Sequence, residues 1–157
     1  MEELTLKSTF KVAQKEELSA TEQALIDKAI EATHRSYVPY SKFHVGTALL
    51  LKNGEIIQGC NQENAAFTVG ICAERAAIFA AGAKYPDQPV VMMAIAARTS
   101  DGKLQEEPIS PCGSCRQVLV ETETRFGQPV RLLLYGSRRI IIADGIGQLM
   151  PLLFSEF

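Results

Sequence analysis

The apolar residues of the chain recur with two different periods, and each period predicts one kind of element. Between residues 20 and 36 they return every three or four positions, as they do on the buried face of a helix. A continuous apolar run over residues 90–97 is typical of a central strand that is covered on both faces. The pattern as a whole predicts helix 20–36, strands 43–51 and 56–60, helix 72–83, strand 90–97, helix 112–126, and strands 130–135 and 139–142.

Local signals mark where several of these elements begin and end. Asn53-Gly54 between two strands indicates a β-hairpin, and Pro111 and Gly127 flank the third helix. Strands that alternate with helices predict an α/β fold, in which a layered sheet carries helices on its faces. Residues 1–18 show only a short possible strand, so we divide the chain into an N-terminal extension and a single domain, 19–157.

The composition narrows the class of protein. A chain of 157 residues with 46% hydrophobic residues suits one globular domain. The net charge of −2 gives no basic patch of the kind that nucleic-acid-binding proteins carry. No apolar run approaches the roughly 20 residues that span a membrane, and Met1-Glu2-Glu3 does not open a secretory signal. We therefore expect a soluble cytoplasmic protein that binds neither nucleic acid nor membrane.

Three thiols in two short runs form a candidate metal site. Cys72 stands at the predicted start of one helix, and Cys112 and Cys115 stand in the first turn of another. Helix N-termini carry partial positive charge, which favours thiolate over thiol. Zinc binds thiolates tetrahedrally, and a catalytic zinc site uses about three protein ligands and leaves the fourth position to water. We therefore predict one Zn²⁺ ion per chain on these three sulfurs.

A carboxylate two residues after the first cysteine suits hydrolytic chemistry. Glu74 is close to the metal without being needed as a ligand, so it can take a proton from water there and pass it to a leaving group. That is the requirement for the hydrolytic deamination of a ring amidine. Three thiolates leave zinc with a net negative charge, which Arg75 and Arg116 are both close enough in sequence to offset. We predict that Arg75 does so, by hydrogen-bonding the sulfurs.

A Cys-x-x-Cys pair alone has other interpretations. Such pairs occur in structural zinc sites and in redox-active sites, and Cys60 could supply a fourth thiolate that closes a structural site. The full pattern is Cys-x-Glu followed by Pro-Cys-x-x-Cys, with each part at a helix start. That pattern is the signature of zinc deaminases. It favours a catalytic site over a structural one.

Four motifs follow one another along the chain: Tyr40-Ser41-Lys42-Phe43-His44-Val45-Gly46, Gly59-Cys60-Asn61-Gln62-Glu63-Asn64-Ala65-Ala66, Ile71-Cys72-Ala73-Glu74-Arg75 and Ser110-Pro111-Cys112-Gly113-Ser114-Cys115-Arg116-Gln117. In this order they resemble the cytidine deaminase family, in its small homotetrameric zinc-dependent form. The likeness runs from about residue 25 to residue 154. The resemblance implies a three-layer α-β-α sandwich with a mixed five-stranded sheet, zinc on the three cysteines, Glu74 as the proton shuttle, and a homotetramer with active sites at subunit interfaces.

The resemblance also implies which residues contact the substrate. Asn61 and Glu63 would bind the ribose hydroxyls, and Phe43 would pack on the pyrimidine face. Backbone near Ala73 would touch the base, and Phe154 is the candidate for a C-terminal phenylalanine that enters the pocket of a neighbouring subunit. Alternatives stay open: Asn61 and Glu63 could make a turn after a strand. Phe43 could be a core aromatic, and Phe154 could be an ordinary interface residue.

The leading hypothesis is an enzyme that hydrolyses cytidine and 2′-deoxycytidine to the uridines and releases ammonia, for pyrimidine salvage. A deaminase of a cytosine-containing antibiotic such as blasticidin S shares this chemistry, but Asn61 with Glu63, and Arg75 after the glutamate, favour the nucleoside. A polynucleotide-editing deaminase usually has His where Cys72 stands and needs a basic groove. A non-enzymatic protein with structural zinc is the alternative outside this chemistry.

Overall fold

Within residues 1–155, which the computed structural model describes, six strands form one sheet and three α-helices pack against it. None of these helices is long and apolar enough to cross a membrane. The order of the strands across the sheet is first, sixth, fifth, fourth, second, third. The helices are α1 (Ala20–Ala32), α2 (Ala73–Lys84) and α3 (Gly113–Phe126), and the strands are β1 (Lys11–Ala13), β2 (His44–Leu51), β3 (Ile56–Cys60), β4 (Val90–Arg98), β5 (Arg131–Tyr135) and β6 (Ile140–Ala143).

The sheet is mixed, and the α/β class predicted from the sequence is confirmed. β4 and β5 run parallel and are connected through α3, whereas the other neighbouring strands run antiparallel. β2 and β3 form the predicted hairpin. Gly54 in its turn has a φ of 88°, which a residue with a side chain rarely adopts.

The expectation of five strands is wrong, because the N-terminal extension supplies a sixth. β1 pairs antiparallel with β6, with Lys11 opposite Ile142 and Ala13 opposite Ile140. Without β1, the outer backbone groups of β6 would be unpaired at a sheet edge. A 2.8 Å ion pair between Lys11 and Asp144 joins the two strands at the same edge. Part of the extension is therefore an integral piece of the sheet.

Alternate residues of the central strand β4 belong to two separate apolar clusters. Met93 and Ile95 lie in a cluster with apolar side chains of α2 and α3, whereas Ala94 and Ala96 lie in a cluster with side chains of α1. All four residues are fully buried. Burying a side chain of the size of Met93 or Ile95 contributes about 1.5–3 kcal/mol to folding. The prediction that this strand is covered on both faces is confirmed.

The two helices that carry the candidate site begin at its cysteines. Cys72 is the N-cap residue of α2 and Cys112 is the N-cap residue of α3, both with extended backbone. Gly127 ends α3 with a φ of 62°, in the left-handed region that glycine tolerates. The first helix ends earlier than predicted, since α1 gives way to a 3-10 turn over Thr33–Arg35.

A glycine lets α2 lie close against the sheet. A Cβ atom at Gly59 would come within 2.5 Å of the carbonyl oxygen of Ala73 and 2.6 Å of the backbone nitrogen of Ala77. Contacts that short are sterically forbidden, so any side chain at this position would push α2 away from β3. The close approach therefore fixes the first turn of α2, which carries Cys72 and Glu74, against the sheet.

Candidate active site

Two helix N-termini bring the three predicted ligands together. The sulfur of Cys112 lies 3.7 Å from the sulfur of Cys72 and 3.4 Å from that of Cys115. All three sulfurs lie within 4.8 Å of one another. Sulfurs bound to one tetrahedral zinc ion, at about 2.3 Å each, would stand about 3.8 Å apart. The three sulfurs are therefore spaced to bind a single metal ion without a movement of either helix.

In the described residues the cysteines form no disulfide, and no fourth sulfur joins the cluster. All four cysteines are free, and an S–S bond would need sulfurs about 2 Å apart. Cys60 accepts a hydrogen bond from the Gln62 amide at 3.3 Å. Within residues 1–155, the group of side chains at metal-binding distance consists of Cys72, Cys112 and Cys115. The four-thiolate structural site is therefore absent from the described part of the chain.

Hydrogen bonds among the side chains of the cluster favour thiolate at Cys72. Hydrogen bonds from Cys115 and Arg75 outweigh burial and lower the pKa of the Cys72 thiol to about 5. The hydrogen bond with Cys72, together with burial, raises the pKa of Cys115. The donor of the arginine bond is Nη2, 3.6 Å from the Cys72 sulfur. The Nε of Arg75 is buried and has no hydrogen-bond partner in residues 1–155. This guanidinium thus lies where it would offset the negative charge of metal-bound sulfurs.

The carboxyl group of Glu74 is buried next to the sulfurs. It belongs to the second residue of α2, which is only 5% exposed. Burial, reinforced by negative charge on Cys72, raises the pKa of Glu74 above its ordinary value. A carboxyl group with a raised pKa takes up a proton more readily than an ordinary glutamate, as a group that shuttles protons must. The arrangement therefore suits proton transfer.

A cavity of about 510 Å³ lies beside Cys72. This volume is within the range of small-molecule sites. Its wall includes Asn61, Glu63 and Arg75, which are three of the residues predicted for the site. The rest of the wall comes from the turn before β2 and the connection between β3 and α2: Tyr40, Ser41, Gln62, Asn64, Phe67, Gly70 and Ile71.

The two predicted ribose-binding residues also hold backbone at the cavity wall. The amide oxygen of Asn61 accepts a hydrogen bond from the backbone N–H of Val45 at 2.8 Å. Glu63 Oε2 accepts from the backbone N–H groups of Tyr40 and Ser41, at 2.9 and 3.1 Å. Hydrogen bonding with Ser41 and Tyr40 keeps the pKa of Glu63 below its ordinary value. The wall therefore presents a carboxylate that is ionised at neutral pH.

Six predicted site residues lie outside the cavity wall in the described chain: Glu74, Cys112 and Cys115, and three residues that the sequence predicts to contact substrate. Phe43 is half-buried and packs against the apolar cluster of α2 and α3, and its carbonyl accepts a 2.9 Å hydrogen bond from the Asn61 amide. Ala73 is fully buried in the first turn of α2. The side chain of Phe154 is exposed, and its carbonyl accepts a 2.8 Å hydrogen bond from Gln117. Their predicted substrate contacts are not part of the wall that a single chain forms.

Two aromatic residues of the wall have no role in the sequence analysis. Tyr40 is 60% exposed and Phe67 is 94% exposed. Exposed aromatics in connecting segments follow no period, so the hydrophobic pattern does not identify them. The available signal is their position, since Tyr40 begins one of the four motifs and Phe67 directly follows another.

A comparison with protein families places this site in a known class. Residues 19–126 match the family model described as the cytidine and deoxycytidylate deaminase zinc-binding region. The chain therefore belongs to this family. The matched residues include all three clustered cysteines and Glu74, so the metal that the cysteine cluster is positioned to bind is zinc.

Two similar proteins and one solved structure are all named cytidine deaminase. The chain is 46% identical over 99 residues to a cytidine deaminase of Halalkalibacterium halodurans, which covers 63% of this chain and 70% of that protein. It is 37% identical over 106 residues to a cytidine deaminase of Mycobacterium tuberculosis, covering 66% of this chain and 74% of the relative. The crystal structure of cytidine deaminase from Burkholderia pseudomallei matches with a TM-score of 0.73 and 34% identity, over 87% of this chain and 100% of that one.

Proposed function

We propose that the protein catalyses the hydrolytic deamination of cytidine and 2′-deoxycytidine to uridine and 2′-deoxyuridine, with release of ammonia, for pyrimidine salvage. Membership of the zinc-binding deaminase family and relatives named cytidine deaminase support this activity. The observation that carries it is the placement of Glu74, a buried carboxyl group of raised pKa, beside three sulfurs spaced for one metal ion.

The reaction adds water to C4 of the cytosine ring and expels the exocyclic amine, with no oxidation or reduction. Zinc, when bound, supplies a Lewis acid that makes water nucleophilic at neutral pH. Glu74 takes the first proton from the attacking water and carries it to N3 of the ring. Glu74 then transfers the remaining hydroxyl proton to the amine, so that the C4–N bond breaks, ammonia leaves and the carboxylate is restored.

The cation beside the sulfurs adjusts the charge of the site. Three thiolates and one Zn²⁺ ion carry a net charge of −1, which would weaken the metal as a Lewis acid. The hydrogen bond of Arg75 to Cys72 supports a role in offsetting that charge. Arg75 is also one of the residues that line the cavity.

The cavity wall supports a nucleoside rather than a free base. An amide and a carboxylate can together donate to and accept from sugar hydroxyls, and Asn61 and Glu63 both lie on the wall. We propose that they bind the ribose, that Phe43 packs on the pyrimidine face, and that the backbone of Ala73 contacts the base. Because Phe43 and Ala73 are not part of the cavity wall, the base of the substrate would have to extend beyond the cavity to contact them.

We also propose a homotetramer whose active sites lie at subunit interfaces. The aromatic residues Tyr40 and Phe67 of the cavity wall are 60% and 94% exposed. Apolar side chains that cluster around a cavity and face water in a single chain are typical of an interaction surface. A neighbouring copy would cover them, and its Phe154 would then complete the pocket. Sedimentation analysis should give the mass of four chains.

Three further expectations remain predictions. They are the three-layer α-β-α arrangement, the division of the chain into an extension, 1–18, and a catalytic domain, 19–157, and the cytoplasmic location. Limited proteolysis of the intact protein would test the division, because an extension that is separate from the domain should be removed first.

Zinc analysis combined with an ultraviolet assay tests the proposed activity. The pure protein should hold about one zinc per chain and should change the absorbance of cytidine and 2′-deoxycytidine solutions, whereas cytosine should not react. Turnover of blasticidin S alone would replace the proposal with an antibiotic deaminase. Bound zinc without turnover of any of these compounds would indicate a structural-zinc protein.

A further inference from the structure

The arginine that follows the third ligand is not directed at the metal cluster. The guanidinium of Arg116 donates from Nε to the carbonyl of Pro111 at 2.9 Å, and from Nη2 to the hydroxyl of Ser110 at 2.9 Å. Its Nη1 donates to the carbonyl of Leu149 at 2.6 Å. All three acceptors are oxygen atoms, whereas Arg75 donates to a sulfur. Arg75 and Arg116 therefore make different contacts: Arg75 binds a sulfur of the cluster, and Arg116 binds oxygen atoms of neighbouring segments.

The first two bonds restrain the segment that carries a ligand. Ser110 and Pro111 directly precede Cys112, which is the exposed member of the cysteine cluster. They follow a long connection from β4 that contains neither helix nor strand. A planar guanidinium with fixed donor directions holds two acceptors in one geometry, which a flexible lysine does not. Arg116 thus ties the approach to Cys112 back onto the helix that carries Cys115.

The third bond restrains a segment 33 residues away in sequence. Leu149 follows the 3-10 turn Ile146–Gln148 and belongs to the C-terminal segment, residues 144–155. The neighbouring residue on α3, Gln117, donates to the carbonyl of Phe154 at 2.8 Å in the same segment. Two consecutive side chains of α3 therefore hold two carbonyls of the C-terminal segment. Arg116 also holds the segment of Ser110 and Pro111 that leads to Cys112.

We propose that Arg116 is a positioning residue that couples the loop of Cys112 to the C-terminal segment of Phe154. The inference rests on the proposed function, because it assigns both segments to one active site. It predicts that loosening either segment loosens the other. Metal retention at Cys112 then depends on contacts made by the far end of the chain.

The rate of zinc release from the holoprotein to an excess of chromogenic chelator tests the coupling without any turnover. Arg116→Gln should release zinc on the order of 10-fold faster than the unaltered protein, as is usual when a group that supports a ligand is removed. Arg116→Lys should still release it several-fold faster. The matched control is Arg125→Gln, on the same helix, which removes a 2.6 Å hydrogen bond to the carbonyl of Pro86 away from the site. Its release rate should stay within about twofold of the unaltered protein.

A second variant tests the link to the C-terminal segment. Gln117→Ala leaves the bonds to Ser110 and Pro111 in place and removes only the bond to Phe154. It should release zinc about threefold faster, the effect of one hydrogen bond. In the Arg116→Gln background it should add little, because the segments are already uncoupled. If Arg116→Gln does not fold, Ser110→Ala, which removes one acceptor, takes its place with an expected rise of about threefold.

The outcomes separate this inference from the proposed function. Zinc release at the unaltered rate in the Arg116 variants, or in Ser110→Ala where it replaces them, overturns the positioning role even if cytidine is deaminated. A normal rate in Gln117→Ala beside a raised rate in Arg116→Gln overturns the coupling to the C-terminal segment. If the unaltered protein binds zinc but deaminates no nucleoside, the proposed function fails while these release rates still decide the coupling.

Discussion

Two buried glutamates occupy nearly the same position on two helices, yet their carboxyl groups have opposite properties. Glu22 lies in the first turn of α1 and is 8% exposed, and Glu74 lies in the first turn of α2 and is 5% exposed. A helix N-terminus favours a negative side chain in both places. The pKa of Glu22 is nevertheless lowered, and the pKa of Glu74 is raised.

The partners of the two carboxyl groups explain the difference. Burial raises the pKa of Glu22, but hydrogen bonds with Ser19 and Arg131 outweigh it. These bonds come from the Ser19 backbone at 2.9 Å, its hydroxyl at 2.7 Å and the Arg131 Nε at 2.8 Å. At Glu74 burial dominates, and the adjacent Arg75 directs a donor to the Cys72 sulfur. The fold thus gives Glu22 three hydrogen bonds that favour its charged form, whereas Glu74 keeps a raised pKa beside the sulfurs.

The largest expected effect comes from making Glu74 unable to exchange protons. Glu74→Gln should lower kcat/KM for cytidine by about 10³-fold, the usual contribution of a positioned acid–base group. Zinc content should stay unchanged, because the carboxylate is not a ligand. The melting temperature should stay the same or rise, since a neutral amide avoids burying a carboxylate that has a raised pKa.

Steady-state assays, metal analysis and thermal unfolding of the same preparation give the three readouts. Retained turnover in Glu74→Gln would remove the distinction between the two glutamates. Loss of zinc in this variant would instead make Glu74 a ligand, which the cluster of three cysteines does not require.

The same substitution at Glu22 should have the opposite profile. Glu22→Gln weakens the N-terminal cap of α1 and the bond to Arg131, so the free energy of unfolding should fall by about 2 kcal/mol. The kcat/KM per folded active site should stay within about twofold, because α1 and α2 belong to different apolar clusters and separate sites couple weakly. Urea unfolding and cytidine assays check the two halves. A loss of activity without a loss of stability would contradict the structural role of Glu22.

The contrast between these glutamates shows what a sequence pattern can supply. The ligand set of Cys72, Cys112 and Cys115 was predictable, because its spacing at two helix starts is a local feature. The bond between Glu22 and Arg131 joins residues 109 apart, and the contacts of Arg116 also depend on the folded chain. Such partners follow no period. The sequence therefore predicts which glutamate is near the metal but does not predict how each is partnered.

The helices and strands also show what the sequence predicts and what it does not. The eight predicted helices and strands all form, and all but β3 bury apolar side chains. β1 was not counted in the sheet, since it has three residues, two of them exposed, and it forms by pairing with β6. The exposed aromatics Tyr40 and Phe67 were likewise given no role, because only the folded cavity shows what they face.

The lowered pKa of Glu22 makes a pH-dependent prediction. Its folded-state pKa lies below the ordinary value of 4.5, which we take for the unfolded chain. The stabilisation is therefore complete above that unfolded value and is lost as the pH falls through the folded-state pKa. Unfolding free energies measured from pH 7 down to pH 3 should show the difference between the unaltered protein and Glu22→Gln shrinking at the acidic end. A difference that stays constant across this range would mean that the pKa of Glu22 is the same in the folded and unfolded states.

The smallest effect is expected at the exposed end of the same charge network. Arg131 also pairs with Asp144, which pairs with Lys11 at 2.8 Å, and the Lys11 and Asp144 side chains are 67% and 46% exposed. Lys11→Ala should lower the free energy of unfolding by about 0.5 kcal/mol or less, and 1 M salt should abolish the difference. Lys7→Ala, in the extension before β1, is the matched control. A loss near that of Glu22→Gln would show that the network acts as one unit, in which the exposed pair of Lys11 and Asp144 is needed to hold Arg131 at Glu22.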